Sequence, residues 1–467
     1  MSDLAFAGLV EVGRKIQGGE VTSVAVTEAM FERIDRIDGT YHAYATLMRE
    51  SALAEAARAD AEIAAGTVRG PLHGVPIAVK DLCNTAGVVT ACGIPMFQDR
   101  VPDTDATVVA RLRAAGAVIL GKLQMTEGAL AMHHPDIAVP VNPWANDRWS
   151  GSSSSGSGVS VAAGIAYGSL GSDTGGSIRF PSLCNGIVGI KGTWGRVSRA
   201  GVFPLSDTLD HVGPMTRRVE DAAAMLGAIA GRDEADPTSL TAPVPDYLGT
   251  IAEGVKGVRA GIDRAYTSEG VDPAISAAVA AGVDALAAAG AEVVEITMPP
   301  TEDAVRGWIP ICVAEAVVGH AETYPSRASE YSDTFRGFLE AGERITGVDY
   351  ARATINRREL AGRFAALRER VDIIATIVVP QPIPTVDDFG SFGEKPDDVE
   401  RLVHYTSIAD LVGGPTISLP AGFDGNGAPL GIQFMGPPLG EEMLCRAGYV
   451  YQQAHDWAGS RPDIAGD

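Results

Sequence analysis

Residues 149–181, WSGSSSSGSGVSVAAGIAYGSLGSDTGGSIRFP, contain two serine-rich turns separated by a short apolar segment. The first turn spans 151–156 (GSSSSG) and the second spans 172–177 (SDTGGS). Residues 159–167 between them are small and apolar, which predicts a buried helix, and 168–171 predict a short strand. Two sharp turns held by one rigid spacer can bring two hydroxyl groups to the same point, an arrangement suited to nucleophilic chemistry.

A glycine–serine linker is the alternative interpretation of the first turn, and composition alone favours it. Two features of the sequence count against a linker. The residues on both sides are apolar and continuous with a core, and a second Gly-Gly-Ser turn follows about two dozen residues later. An active site and a linker therefore both remain open from the pattern alone.

Composition and charge narrow the class of protein. The chain has 467 residues, of which 46% are hydrophobic, enough for a large core, and a net charge of −22, which disfavours binding to nucleic acid or to an anionic membrane. Its five cysteines are widely spaced without a CxxC pair, which favours a reducing compartment over disulfides or a zinc site. The sequence has no signal-peptide pattern and no long apolar run, so we expect a cytoplasmic protein. We also expect it to be a monomer or a homodimer.

Helices alternate with apolar strands along the chain. Helices are predicted at 3–17, 22–37, 50–65, 104–115, 219–230, 273–289 and 440–455, with 302–370 mostly helical. Strands are predicted at 74–81, 117–120, 187–190, 258–262, 292–296, 373–379, 416–419 and 431–435. Because the strands lack alternating polarity, we predict an α/β fold whose central sheet is largely buried and covered on both faces by helices.

Two familiar motifs are absent. Residues 116–123 (GAVILGKL) nearly match a phosphate-binding P-loop, but the last position holds leucine where a hydroxyl is needed for magnesium. No G-x-S-x-G surrounds any serine, so the α/β-hydrolase nucleophile elbow is also excluded. No metal-ligand set or nucleotide motif occurs, and the sequence therefore implies no cofactor.

Ser177 follows the dipeptide Gly175-Gly176, where free backbone N–H groups are suited to stabilising an oxyanion. A serine nucleophile needs a base. None of the eight histidines has a decisive local signature, although the adjacent His133 and His134 stay candidates. Lys80, at the end of an apolar strand, is the best candidate if burial keeps it neutral; the alternative is an ordinary lysine emerging into solvent.

Charged residues lie on both sides of Ser177. Asp173 and Arg179 are predicted to form an ion pair that braces the turn rather than to contact substrate. Cys184 is predicted to be a small buried apolar residue.

Several segments together resemble the amidase signature family, serine amidases with a Ser–cis-Ser–Lys triad. The matching segments are 74–81 (GVPIAVKD), 151–158, 171–181 (GSDTGGSIRFP), 186–223, 413–423 (GGPTISLPAGF) and 431–438 (GIQFMGPP). The resemblance covers nearly the whole chain. It implies one amidase signature domain over 1–467 with a mixed central sheet, a signature core at about 70–235, and a helical segment at about 302–370 that forms part of the pocket cover.

The same resemblance implies roles for individual residues. Ser177 is expected to be the nucleophile, Lys80 the base, and Ser153 the serine that bridges them. The family's turn usually reads G-G-S-S-G-G, and serines replace two of its glycines here, so Ser154 is the alternative bridge. A cis peptide is expected between Ser152 and Ser153. The backbone N–H groups of Thr174, Gly175, Gly176 and Ser177 are expected to stabilise the oxyanion.

The substrate is less closely defined. Met125, Thr126, Glu127 and Gly128 are expected to contact substrate, with core packing as an equal alternative, and Trp308 to Pro310 are expected to form part of a movable cover. The resemblance implies a small-molecule amide with an aryl or aliphatic acyl group, and carbamate (urethane) or hydrazide hydrolysis as a side activity. The alternatives are the glutaminase subunit of a tRNA-dependent amidotransferase and a catalytically inactive scaffold or binding protein.

Overall fold

A computed structural model describes residues 2–391, 395, 397–455, 457 and 459–464. Their strands form one eleven-stranded sheet in the order β1-β3-β2-β4-β6-β5-β10-β11-β9-β7-β8. The strands are β1 Tyr44–Leu47, β2 Pro76–Lys80, β3 Val118–Leu123, β4 Gly168–Asp173, β5 Val188–Lys191, β6 His211–Thr216, β7 Arg259–Ile262, β8 Glu292–Glu295, β9 Ile373–Ile377, β10 Thr416–Phe423 and β11 Pro429–Met435.

Helices fill the connections between the strands. The α-helices are α1 Leu9–Gln17, α2 Ser23–Tyr41, α3 Arg49–Ala64, α4 Thr107–Ala114, α5 Ser155–Ala162, α6 Arg179–Cys184, α7 Val219–Ile229, α8 Pro273–Ala288, α9 Glu302–Gly319, α10 Asp333–Glu343, α11 Gly347–Arg368, α12 Val386–Gly390, α13 Asp398–Val403, α14 Ser407–Leu411 and α15 Glu441–Ala454. Short 3₁₀ turns lie at Ser2–Phe6, Pro95–Phe97, Glu127–Ala129, Ile251–Glu253 and Ala328–Glu330.

The sheet is mixed and largely buried, as predicted. Strands β2, β3 and β4 pair in parallel, whereas β6, β10 and β11 pair antiparallel with their neighbours. Every residue of β2, β3, β4, β6 and β11 is buried. Because successive side chains point to opposite faces of a sheet, burial at every position means that both faces are covered.

Two strands were not predicted from the sequence. The strand β6 has the sequence HVGPMT, in which glycine and proline obscure its strand character. The strand β1 lies at the edge of the sheet and alternates between half-buried and exposed positions. The antiparallel β6 separates the parallel strand β4 from β5, and it carries His211 to the back of the second serine turn.

Both serine turns lie beside the carboxyl ends of the parallel strands β2 and β4. These strands end at Lys80 and Asp173, so the two residues lie at the same end of the sheet. The spacer differs from the predicted helix at 159–167: α5 starts at Ser155 and ends at Ala162, because the chain turns at Gly164 with a φ of 67°. The first turn therefore leads directly into α5, and the second leads into α6.

Helices α9, α10 and α11 form most of the predicted helical segment at 302–370. The segment is interrupted between α9 and α10, where the Tyr324–Pro325 peptide is cis. Within the described ranges, no helix combines the length and apolar character needed to cross a bilayer.

Candidate active site

Lys80 is the last residue of β2, and its side chain is completely buried. Its Nζ atom lies 2.6 Å from Ser153 Oγ, 2.9 Å from Ser154 Oγ and 2.8 Å from Ser172 Oγ. Burial disfavours the charged ammonium and lowers the pKa of Lys80 to about 7. The interpretation of Lys80 as a solvent-exposed lysine is therefore wrong, and near neutral pH much of this amine holds a free lone pair.

The two serines beside Lys80 in the first turn have different partners. Ser154 Oγ donates to the Ser172 carbonyl oxygen and accepts from the Ser172 N–H, both at 3.2 Å. Ser153 Oγ has Lys80 as its one hydrogen-bond partner among the described residues. The peptide between Ser152 and Ser153 is cis, as expected. Ser153 therefore keeps capacity for a further hydrogen bond, whereas Ser154 is tied to β4.

Ser177 lies between the end of β4 and the start of α6, where its partly exposed side chain lines a cavity. The Asp173 carboxylate holds this turn by accepting hydrogen bonds from Gly176 N at 2.7 Å and Ile178 N at 2.9 Å. Gly176 has a φ of 138°, a conformation that other residues rarely adopt. The turn thus places the Ser177 hydroxyl at a fixed point on the cavity wall.

Behind the turn, Asp173 and Arg179 form the predicted ion pair. Arg179 Nη2 lies 2.7 Å from Asp173 Oδ1 and 2.7 Å from Asp410 Oδ2, and Arg179 Nη1 donates to the Thr406 carbonyl at 2.6 Å. Burial opposes ionisation of Asp173, but the Arg179 guanidinium holds the pKa of that carboxyl well below its usual range. Asp410 and Thr406 were missed from the sequence because they follow Arg179 by more than 220 residues and carry no local signal.

The N–H groups expected to form the oxyanion site are not equivalent. Gly176 N–H already donates to Asp173, so its expected role is not available in this structure. The N–H groups of Thr174, Gly175 and Ser177 have no acceptor within the described part of the chain. These three are therefore the donors free to bind an oxygen of a reacting carbonyl.

A cavity of about 230 Å³ opens in front of Ser177. Its wall comes from both serine turns, the chain after Gly128, and helices α9, α10 and α13. The lining residues are Ala129, Leu130, Ala131, Ser152, Thr174, Gly175, Ser177, Phe180, Leu205, Trp308, Thr334, Phe338, Val399, Leu402 and Val403. None of these side chains is charged, and most are aliphatic or aromatic.

The segment predicted to contact substrate lies a few residues before the one that lines the cavity. Met125, Thr126, Glu127 and Gly128 are buried, and none of them lines this cavity. The Glu127 carboxylate instead accepts from the backbone N–H of Ser332, at 3.0 Å, and from the hydroxyl of Ser332. The chain turns through positive φ angles at Gly128 and Ala129, and Ala129, Leu130 and Ala131 line the cavity in their place.

The two histidine candidates lie outside the cavity, although His133 contacts the first serine turn. His133 Nε2 is 3.0 Å from Ser155 Oγ, and burial lowers the pKa of His133 to about 4. His134 Nδ1 accepts from the backbone N–H of Asp136 at 3.1 Å. Neither histidine lines the cavity. Among the described residues, no three side chains of His, Cys, Asp or Glu are grouped so that they could hold a metal ion.

Comparison with known proteins identifies the family. A family model described as Amidase matches residues 25–445. The chain belongs to the amidase family. This amidase is a hydrolase that acts on amide C–N bonds.

Relatives and solved structures of several kinds are similar to this amidase. A Mycobacterium tuberculosis protein named as an amidase, AmiD, is 44% identical over 456 residues, which cover 98% of this chain and 96% of that protein. A glutamyl-tRNA(Gln) amidotransferase subunit of Geobacter sp. strain M21 is 36% identical, with 96% and 97% covered. The structure of a peptide amidase from Stenotrophomonas maltophilia matches with a TM-score of 0.83 and 30% identity, covering 99% of each chain.

Proposed function

We propose that this amidase cleaves small amides with apolar acyl groups through a seryl acyl-enzyme. Ser177 is the nucleophile, Lys80 is the base, and Ser153 carries protons between them. The observation that supports this most strongly is the buried Lys80 amine, 2.6 Å from the Ser153 hydroxyl and enclosed by hydroxyl groups. A buried lysine without a carboxylate partner is neutral enough near pH 7 to accept a proton.

Acylation then needs two coupled proton transfers. Ser177 Oγ attacks the substrate carbonyl and gives its proton to Ser153 Oγ, while Ser153 gives its own proton to Lys80 Nζ. The oxygen of the tetrahedral intermediate accepts from the free N–H groups of the second turn. The protons return along the same path to the departing nitrogen, since an amine leaves only after it is protonated. The C–N bond breaks, and water cleaves the resulting ester by repeating these steps.

The cavity supports an apolar acyl group. Phe180, Trp308 and Phe338 provide aromatic surface, and no charged side chain lines this cavity. The charged residues Arg199, Asp207 and Asp210 line an adjoining cavity instead. Free glutamine carries an ammonium and a carboxylate, and burying either without a partner is costly. The glutaminase alternative, favoured by the similarity to amidotransferase subunits, therefore receives less support from this wall than a stand-alone amidase does.

A hydrolysis panel tests the proposed specificity. We expect anilides and primary amides of aryl or aliphatic acids to be cleaved with kcat/KM at least about 10²-fold above that for glutamine, because glutamine leaves two charges unpaired. Hydrazides of the same acids belong in the panel, since loss of hydrazine gives the same acyl-enzyme. Carbamates belong in it as well, since attack by Ser177 with loss of the amine leaves an alkoxycarbonyl- or aryloxycarbonyl-enzyme that water hydrolyses. A preference for glutamine, or activity that appears only with partner subunits, would contradict the proposal.

The two candidate bridging serines can be separated by mutation. We expect Ser153→Ala to lower kcat by about 10²-fold, because it removes the proposed path between Ser177 and Lys80. Ser154→Ala is expected to lower kcat by less than about tenfold, because Ser154 is already bonded to Ser172. Steady-state kinetics of both variants with one anilide provide the comparison. The reverse order of effects would assign the bridge to Ser154.

A cytoplasmic location remains part of the proposal. All five cysteines are buried free thiols, which suits a reducing compartment.

A further inference from the structure

Within the second serine turn, the carbonyls of Thr174, Gly175 and Gly176 each accept a hydrogen bond from outside this tripeptide. Trp308 Nε1 donates to the Thr174 carbonyl at 2.8 Å. Thr406 Oγ1 donates to the Gly175 carbonyl, and Phe180 N donates to the Gly176 carbonyl at 2.7 Å. The bond from Trp308 differs from the other two, because its donor is the side chain of a residue that lines the cavity. Thr406 does not line the cavity, and Phe180 donates through its backbone N–H.

A hydrogen bond to a peptide carbonyl also affects the N–H of the same peptide. The carbonyl of Thr174 and the N–H of Gly175 belong to one planar, resonance-coupled unit. A donor at the carbonyl polarises this unit and strengthens its N–H as a donor. Gly175 N–H is one of the groups left without an acceptor in the described part of the chain, and Gly175 lines the cavity.

The fit around Gly175 is close. A Cβ atom at Gly175 would lie 2.8 Å from the Trp308 ring, so the indole lies against the backbone here and leaves no space for a side chain. Trp308 itself is almost completely buried. The hydrogen bond from Trp308 Nε1 and the contact of its ring with Gly175 together restrict the orientation of the Thr174–Gly175 peptide plane.

The helix that carries Trp308 is anchored on both sides. Glu315 on α9 accepts from Ser206 Oγ at 2.6 Å and from Thr208 N at 2.9 Å. Tyr350 OH on α11 donates to the same carboxylate at 2.6 Å. These bonds join α9 both to the loop before β6 and to α11. They restrict the movement of α9, and therefore of Trp308, relative to the second serine turn.

We infer that Trp308 is a positioning residue for the oxyanion site. Its indole N–H orients and polarises the Thr174–Gly175 peptide, so that Gly175 N–H binds the developing oxyanion more strongly than the ground-state carbonyl. This role rests on the proposed function, in which Ser177 attacks a carbonyl in this cavity. Because the indole also lines the cavity, the acyl group and the oxyanion site share one contact residue.

The test compares variants that keep or remove the indole N–H. Trp308→Phe keeps an aromatic ring but removes the donor, and we expect kcat for an anilide to fall about tenfold with KM changed less than about threefold. Replacement of Trp308 by 3-benzothienylalanine keeps the shape of the indole and removes only the N–H, so it should give the same loss. Phe338→Leu, on the same cavity wall without a bond to the turn, should change KM more than kcat.

The affinity for a transition-state analogue separates a role at the oxyanion site from a role in packing alone. A trifluoromethyl ketone with the acyl group of the substrate adds to Ser177 and places its oxygen at the oxyanion site. We expect its affinity to fall about tenfold in the benzothienylalanine variant, which keeps the ring contact with the acyl group, while KM for the uncharged amide substrate changes less than about threefold. Wild-type kcat in this variant, or equal losses for ketone and amide, would overturn the inference. Parallel assay of Ser177→Ala separates the two proposals, since retained activity there would contradict the proposed function instead.

Discussion

Replacing Ser177 with alanine is expected to lower kcat for an anilide about 10⁴-fold or more. The Ser177 hydroxyl lines the cavity at the start of a turn that also supplies free N–H donors. Without this hydroxyl the proposed acyl-enzyme cannot form, and the remaining rate should come only from binding and the proposed oxyanion donors. The variant should fold normally, because the Ser177 side chain makes no hydrogen bond to any described residue.

A second hydroxyl on the same wall provides the matched control. Thr334 lies on α10 and lines the cavity, but it has no place in the proposed proton path. Thr334→Ala should keep kcat within about threefold of the wild type. A neutral aryl fluorophosphonate should label the wild type and Thr334→Ala on Ser177, as located by peptide mass spectrometry, and should leave Ser177→Ala unlabelled. Labelling at another residue would place the nucleophile elsewhere, and no labelling of the wild type would favour the alternative of an inactive binding protein.

Replacing Lys80 with methionine is expected to lower kcat/KM about 10²- to 10⁴-fold, the range for loss of a general base. Methionine fills similar volume in the buried site and cannot accept a proton. Because the surrounding groups at 2.6–2.9 Å are neutral hydroxyls rather than carboxylates, no buried charge is left unpaired. We therefore expect the melting temperature to change by only a few degrees.

Lys122 provides a control, because it is a buried lysine that is paired with a carboxylate. It is equally buried in the neighbouring strand β3, but its Nζ lies 3.0 Å from Asp81 Oδ1 and 2.7 Å from Thr90 Oγ1. Lys122→Met leaves the Asp81 carboxylate unpaired and should cost about 3–5 kcal/mol of stability. Its kcat, calculated per Ser177 labelled by fluorophosphonate, should stay within about tenfold of wild type. Equal kinetic losses in the two lysine variants would argue against a specific role for Lys80.

Much of the fold was predictable because local patterns specify it. Apolar strands such as Ile373–Ile377 and the alanine-rich helix Pro273–Ala288 were found close to their observed bounds. The strand His211–Thr216 was missed because its glycine and proline are poor strand formers that tertiary pairing overrides. That strand sets the mixed character of the sheet beside the site.

The contact between Lys80 and the first serine turn was predictable only through the resemblance. From its position at the end of a strand, Lys80 could also be an ordinary lysine that emerges into solvent. Only the fold shows that its Nζ atom is enclosed by three hydroxyl groups. The cavity wall was misplaced by a few residues because its position depends on the positive φ of Gly128. Asp410, which binds Arg179, has no sequence signal, since its role depends on a contact between distant parts of the chain.

If a neutral Lys80 removes the Ser177 proton through Ser153, phosphonylation of Ser177 should depend on pH in the same way as the deprotonation of Lys80. Burial lowers the pKa of Lys80 to about 7. Since only the uncharged amine accepts a proton, the rate constant for a neutral fluorophosphonate should rise tenfold per pH unit below pH 7 and level off above about pH 8. The same rise should be missing in Lys80→Met. A wild-type rate that is flat from pH 5 to 9 would contradict the mechanism.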